Sequence, residues 1–133
     1  MSKFQEILKG GDLRSIGKAN EIVIMVKDQA AFDELFEGLT YSDRKVVMRT
    51  ADAIEKITLK EPGYLQKHKK ELLGLCQSAA GIELKWHLAL LVPRLCLTKK
   101  ELKKSWDLLT HWARDKKESK IVRVNSIQGL FEL

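Results

Sequence analysis

Histidine, cysteine and carboxylate side chains are the groups best able to catalyse a reaction or hold a metal, and their spacing in this chain supports neither role. His68, His87 and His111 fall on three different predicted helices, and none has a second histidine or a cysteine three or four residues away. A zinc site typically uses at least one such local pair. The chain also has no glycine-rich phosphate loop, nucleophile elbow or catalytic cysteine signature. We therefore expect no enzymatic activity, no metal and no cofactor.

Positive charge is the one functional signal above background. The 133 residues include 24 Lys and Arg against 18 Asp and Glu, a net charge of +6, and the first 50 residues hold eight of each kind. The whole excess therefore lies downstream. It can meet an acidic protein segment or a phosphate backbone, although a lysine-rich face that serves only solubility is the alternative. The candidate binding stripe consists of Lys67, Lys70, Lys103, Lys104, His111 and Arg114.

The cysteines and the N-terminus bear on the compartment. The first residues contain no apolar signal-peptide core, and the longest apolar runs are far shorter than a membrane span requires. We expect a cytoplasmic protein with no membrane contact. Cys76 and Cys96 should then be free thiols. We also expect both to be buried as small hydrophobic residues.

Apolar residues that recur every three or four positions predict seven helices and no sheet. The clearest helix start is Thr98 with Glu101, a capping box in which each side chain satisfies the other residue's backbone amide. Pro93 falls inside the fifth predicted helix, where it crowds the carbonyl of Ala89 and predicts a kink. The predicted helices begin at or near Asp12, Asp28, Asp43, Tyr64, Ile82, Thr98 and Ser119.

The odd-numbered predicted helices repeat with a period of 38 residues. Asp43, Gly81 and Ser119 are helix starts separated by this period, and the apolar positions behind them coincide. Helix pairs with a period near 40 residues are typical of HEAT and armadillo solenoids. The superposed apolar positions are Met48, Trp86 and Val124; Ala51, Ala89 and Ile127; Ile54, Val92 and Leu130; and Ile57, Leu95 and Leu133.

Residues 42–57 resemble the core of a HEAT motif, with an acidic turn followed by valine and arginine, small residues and an aliphatic residue. The segment 119–133 is similar through Ile121, Val122 and Arg123, whereas residues 85–87 of the middle copy depart from the pattern. The resemblance implies an all-α, HEAT-like superhelix of about three and a half helix pairs that forms one domain over 1–133. Its repeats would span approximately 12–41, 42–80, 81–118 and, in part, 119–133.

HEAT domains as a family bind other macromolecules, and the resemblance supplies no catalytic positions. We expect a non-enzymatic scaffold that binds a protein or peptide on its concave face, where the second helices of the pairs lie. The alternative is a nucleic-acid-binding protein with phosphate-backbone contacts and a distant similarity to HEAT-like DNA alkylation glycosylases.

Large apolar side chains give two further expectations. Trp86 and Trp106 follow the apolar stripes of their helices and should pack in the core, whereas the position of Trp112 is open. The last predicted helix has more apolar residues than one stripe needs. We expect another copy or a partner to cover part of it, which makes a homo-oligomer through this helix one possibility.

Overall fold

A computed structural model describes residues 3–9 and 16–133, and within these residues the chain is all-helical with no strand. The predicted cap Asp12 and its neighbour Leu13 lie outside the described residues. No described helix is long and apolar enough to span a bilayer. The α-helices are α1 (Lys3–Lys9), α2 (Ile16–Met25), α3 (Gln29–Phe36), α4 (Arg44–Lys60), α5 (Lys69–Ser78), α6 (Ile82–Leu91), α7 (Lys99–Arg114) and α8 (Lys120–Glu132). Three 3-10 turns span Glu37–Thr40, Pro62–His68 and Val92–Arg94.

Side-chain caps fix four of the helix starts, and all four were predicted. The side chains of Asp28, Asp43 and Ser119 each accept a hydrogen bond from a backbone amide in the first turn of α3, α4 and α8. At α7 the capping box is complete: the Glu101 amide donates to Thr98 Oγ1 at 3.2 Å and the Thr98 amide donates to Glu101 Oε1 at 2.9 Å. Each bond satisfies an amide that the helix itself leaves unpaired.

The chain divides into two compact units, Met1–Tyr64 and Leu65–Leu133, which we call unit 1 and unit 2. In unit 1, α4 packs against α1, α2 and α3. Helix α1 was not predicted, yet Phe4 and Leu8 on it are fully buried. The Arg49 guanidinium of α4 donates to the Leu8 carbonyl at 2.7 Å and satisfies a carbonyl near the end of α1.

In unit 2, α8 packs against both α6 and α7, and α5 packs against α6. Gly129 permits this packing, because a Cβ there would lie 2.6 Å from the Ala89 carbonyl oxygen and 3.1 Å from the Leu109 side chain. Two polar contacts fix the same arrangement. Lys85 of α6 pairs with Glu118 just before α8, and Arg123 Nε of α8 donates to the carbonyl oxygen of Ala113 at 3.0 Å.

The structure corrects the end of one predicted helix, α6, and the start of another, α5. The fifth predicted helix has no kink at Pro93: it ends at Leu91, and Pro93 lies in the 3-10 turn that follows. Proline has no backbone N–H to donate. It is tolerated in the first residues of such a turn, because the N–H groups there have no partner within the turn. The fourth predicted helix likewise opens as the 3-10 turn Pro62–His68 before α5 begins.

The tryptophan predictions are partly wrong. Trp106 is 49% exposed, whereas Trp112 is buried at 4% exposure with the Lys85 ammonium 5.7 Å from its ring. Trp86 is half-buried and stacks on His87 with ring centroids 3.5 Å apart. The sequence predicted that the side of α7 with Trp106 meets the core, but the side with Trp112 does so instead.

The two central positions of the 38-residue repeat are buried in its first two copies but not in its third. Ala51 and Ile54 of α4 are fully buried, as are their equivalents Ala89 and Val92. The residue of the third copy that corresponds to Ala51 and Ala89 is Ile127 of α8, which is 58% exposed. The residues that α8 does bury are Val122, Ser126 and Gly129, on its other side.

Candidate functional site

The structure brings together three of the six residues of the predicted basic stripe. Lys70 of α5 and Lys104 and His111 of α7 line one groove, with a volume of about 700 Å³, between these two helices of unit 2. We call it the α5–α7 groove. The other three residues are elsewhere: Lys67 is in the 3-10 turn before α5, Lys103 is on another side of α7, and Arg114 is the last residue of α7.

Apolar side chains form much of the groove wall. Leu73 and Cys76 contribute from α5 and Leu108 from α7, and exposed Gly74 leaves the α5 side open. Ser105 adds a polar atom: it is 4% exposed, and its Oγ has no hydrogen-bond partner among the described residues. A ligand in the groove would therefore meet mainly apolar surface.

The groove is electropositive because its acidic residues are paired and its lysines are not. Glu101 forms an ion pair with Lys69 at 2.9 Å, and Asp107 pairs with Lys103 at 3.3 Å. Within the part of the chain that the structure describes, neither Lys70 nor Lys104 forms an ion pair. The uncompensated charge that faces the groove is therefore that of two ammonium groups.

Glu101 also links the groove to the start of α7. The Thr98 amide that donates to its carboxylate, together with Lys69, lowers the pKa of this side chain below its ordinary value of 4.5. Lys69 Nζ donates in addition to the Cys96 carbonyl at 3.1 Å. One residue of α5 thus contacts both the cap of α7 and the segment that precedes it.

Gln66 makes a second connection to that segment. Its side-chain amide donates to the Arg94 carbonyl at 2.8 Å, and its oxygen accepts from the Cys96 amide at 2.7 Å. Residues 94 and 96 have no helical partners for these groups, because they lie between α6 and α7. The two bonds hold the entry to α5 beside the entry to α7, and so hold the two walls of the groove in position.

The cysteines and histidines give the groove no nucleophile and no metal site. Cys76 is buried as predicted, and burial raises its pKa to about 12, so it is a neutral thiol at physiological pH. Cys96 is exposed, contrary to the prediction, although both thiols are free as expected. His68 and His87 are buried. Across the described residues, no group of three His, Cys, Asp or Glu side chains could hold a metal ion.

A second, smaller cleft lies on the other side of α7. Leu102, exposed Trp106 and Leu133 line it together with Lys99 and Lys103, and its volume is about 380 Å³. This cleft was not predicted, because Trp106 was expected to pack in the core. The sequence of α7 carries no signal that would have revealed it, because the core residues of an amphipathic helix have charged neighbours just as Trp106 does.

Comparison with known proteins gives no match, whether with family models, with curated proteins or with solved structures.

Proposed function

We propose that this chain is a non-enzymatic interaction module whose α5–α7 groove binds a protein segment that carries both apolar and acidic side chains. The observation that carries the proposal is the combination of an apolar wall with two lysines, Lys70 and Lys104, that have no ion-pair partner among the described residues. A volume of about 700 Å³ falls within the range of about 300–1,000 Å³ typical of binding pockets. Leu73 and Leu108 would contact an apolar side chain, and the lysines would contact a carboxylate beside it.

The proposal includes a HEAT-like arrangement of the helices. Its support is the 38-residue register, in which Asp43, Gly81 and Ser119 each immediately precede a helix. Helices α5 and α7 are the second helices of the proposed pairs, and in HEAT domains such helices form the binding face. A groove between these two helices is therefore where the proposed architecture would place a ligand.

Selection of peptides on the intact chain tests the function. A phage-displayed library of random peptides would be selected on the wild-type protein, and the selected peptides would be titrated by fluorescence anisotropy. We expect enrichment of aliphatic or aromatic residues next to Asp or Glu. Affinity should fall by at least about tenfold in Lys70→Glu/Lys104→Glu, because two attractive contacts become repulsive.

The matched control is Lys116→Glu/Lys120→Glu, which makes the same change of charge at exposed lysines outside the groove. It should retain most of the affinity. Peptides that bind both variants equally well, or a selection that yields no acidic peptide, would show that the groove is not the binding site.

The charge of unit 2 favours a second candidate, binding to a nucleic-acid backbone. Unit 2 holds 14 Lys and Arg against 7 Asp and Glu, a net charge of +7. Half-exposed Trp106, in the cleft with Lys99 and Lys103, is the kind of side chain on which an unpaired base can stack. We rank this candidate second because lysines spread over a surface bind phosphates without needing the apolar groove.

A further inference from the structure

Helix α8 presents an apolar face to solvent on the side away from its packing contacts. Val124, Ile127 and Phe131 are 62%, 58% and 87% exposed, and their spacing of three and four residues places them on one side of the helix. We call these three residues the outer face of α8. A single exposed hydrophobic residue is ordinary, whereas a continuous stripe indicates an interaction surface.

The repeat register indicates what kind of structure fits this face. Helix α8 packs closely against α6 at Ala89, where Gly129 removes the Cβ that would otherwise clash with the Ala89 carbonyl. The residue 38 positions after Ala89 is Ile127, in the outer face. On α6, the surface around Ala89 is covered by α8. The corresponding surface of α8, around Ile127, is exposed. A helix is the element that covers the equivalent surface within this chain.

Charge distinguishes between possible helices. Lys116, Lys117 and Lys120 are exposed at the N-terminal end of α8, and none of them forms an ion pair with a described residue. The partial positive charge of the helix N-terminus adds to theirs. A second copy of this chain would bring another unit of charge +7 against this one, and that repulsion opposes self-association.

We propose that the outer face of α8 docks an amphipathic helix of a partner protein. This helix has an apolar stripe and carries Asp or Glu at the end that meets Lys116, Lys117 and Lys120. The outer face shares no residue with the α5–α7 groove. The inference therefore shares the 38-residue register with the proposed function but not its binding site, and each site can fail alone.

A phage-displayed library of amphipathic helices, randomised outside a fixed apolar stripe and selected on the full chain, tests the proposal. We expect acidic residues to be enriched at one end of the selected helices. In fluorescence-anisotropy titrations, Ile127→Ser/Phe131→Ser should weaken their binding by at least about tenfold, since two large apolar side chains no longer pack against the bound helix. Lys116→Glu/Lys120→Glu should weaken it as well.

Two controls separate this site from others. Ile24→Ser/Leu59→Ser removes equally exposed apolar residues from unit 1, and Lys70→Glu/Lys104→Glu removes the charge of the groove; both should bind the helices as the wild type does. Circular dichroism confirms that each variant is folded. Equal binding by wild type and Ile127→Ser/Phe131→Ser would overturn the proposal. So would a wild-type dimer in sedimentation that the same variant dissociates, because the occupant would then be a second copy.

Discussion

Glu101 illustrates how one side chain can serve both a helix and a binding groove. Its carboxylate accepts from the Thr98 amide at 2.9 Å and pairs with Lys69 of α5 at 2.9 Å. The first contact begins α7, and the second holds α5 beside it and leaves Lys104 as an uncompensated charge. Because both contacts favour the ionised form, they lower the pKa of Glu101.

We predict that the stability of Glu101→Gln changes less with pH in the acidic range than the stability of the wild type does. The lowered native pKa means that ionised Glu101 contributes stability above its unfolded-state pKa, near 4.5, and that this contribution is lost as pH falls through the native value. Glutamine keeps an oxygen for the Thr98 amide but no charge. Urea unfolding should find the variant less stable than wild type at pH 7, with the gap closing below pH 4.5.

The control is Glu37→Gln, which removes an exposed carboxylate that forms no ion pair among the described residues. A gap for Glu101→Gln that is equally large at pH 7 and at pH 3, or that is absent at pH 7, would contradict the role assigned to the charge.

Local chemistry explains which residues the sequence could predict. Asp43, Thr98 and Ser119 are readable because a cap needs only its own turn. Trp106 and Trp112 are a different case: six residues of helix separate them by about 240°, so they face different sides, and the sequence of α7 alone does not say which side meets α6 and α8. The same applies to the groove, whose charge depends on which lysines find carboxylates across two helices.

Helix packing depends on small residues that are easily overlooked in a sequence. Helix α8 has Gly129 where it passes α6 and α7, and a Cβ there would lie 2.6 Å from a backbone oxygen that cannot move aside. Gly74 of α5 is a useful contrast, because a Cβ there would meet nothing within 4 Å. Glycine is therefore required for packing at one position and only weakens the helix at the other.

We predict opposite effects of the same substitution at these two positions. Gly129→Ala should destabilise the protein by about 1–3 kcal/mol, as overpacking does in well-packed cores. Gly74→Ala should stabilise it by about 0.5–1 kcal/mol, because alanine favours a helix interior over glycine. Chemical denaturation of both variants and wild type measures the two differences. Similar effects at the two positions would contradict the close packing of α8 on α6.

Element ends at prolines were harder to predict than element starts. The position of Pro93 predicts a kinked helix, but the structure ends α6 at Leu91 and continues as a 3-10 turn. Both solutions avoid the missing amide of proline. The contact that favours the turn lies outside the local sequence. The Gln66 side chain donates to the Arg94 carbonyl and accepts from the Cys96 amide, and these are groups that a continued helix would have paired.

For the molecule as a whole, the net positive charge belongs to unit 2, and its use is open. Unit 1 has 10 basic and 11 acidic residues, whereas unit 2 has a net charge of +7. Part of the excess is at the groove, on Lys70 and Lys104, and part is at the N-terminal end of α8. A peptide with a preferred site would respond to one of these positions, whereas a polyanion would respond to their sum.

We predict that duplex DNA binds this chain weakly and without preference for the groove. Duplex affinity should then fall to the same extent in Lys70→Glu/Lys104→Glu and Lys116→Glu/Lys120→Glu. Each variant loses two lysines, so both lose the same number of phosphate contacts. For either variant, the logarithm of the binding constant should fall with the logarithm of salt concentration less steeply than for wild type, by about 0.9 for each phosphate that the variant leaves unneutralised. Titrations at two salt concentrations measure both quantities. If the groove variant alone abolished binding, the groove would be a nucleic-acid site, and its assignment to an acidic protein segment would be wrong.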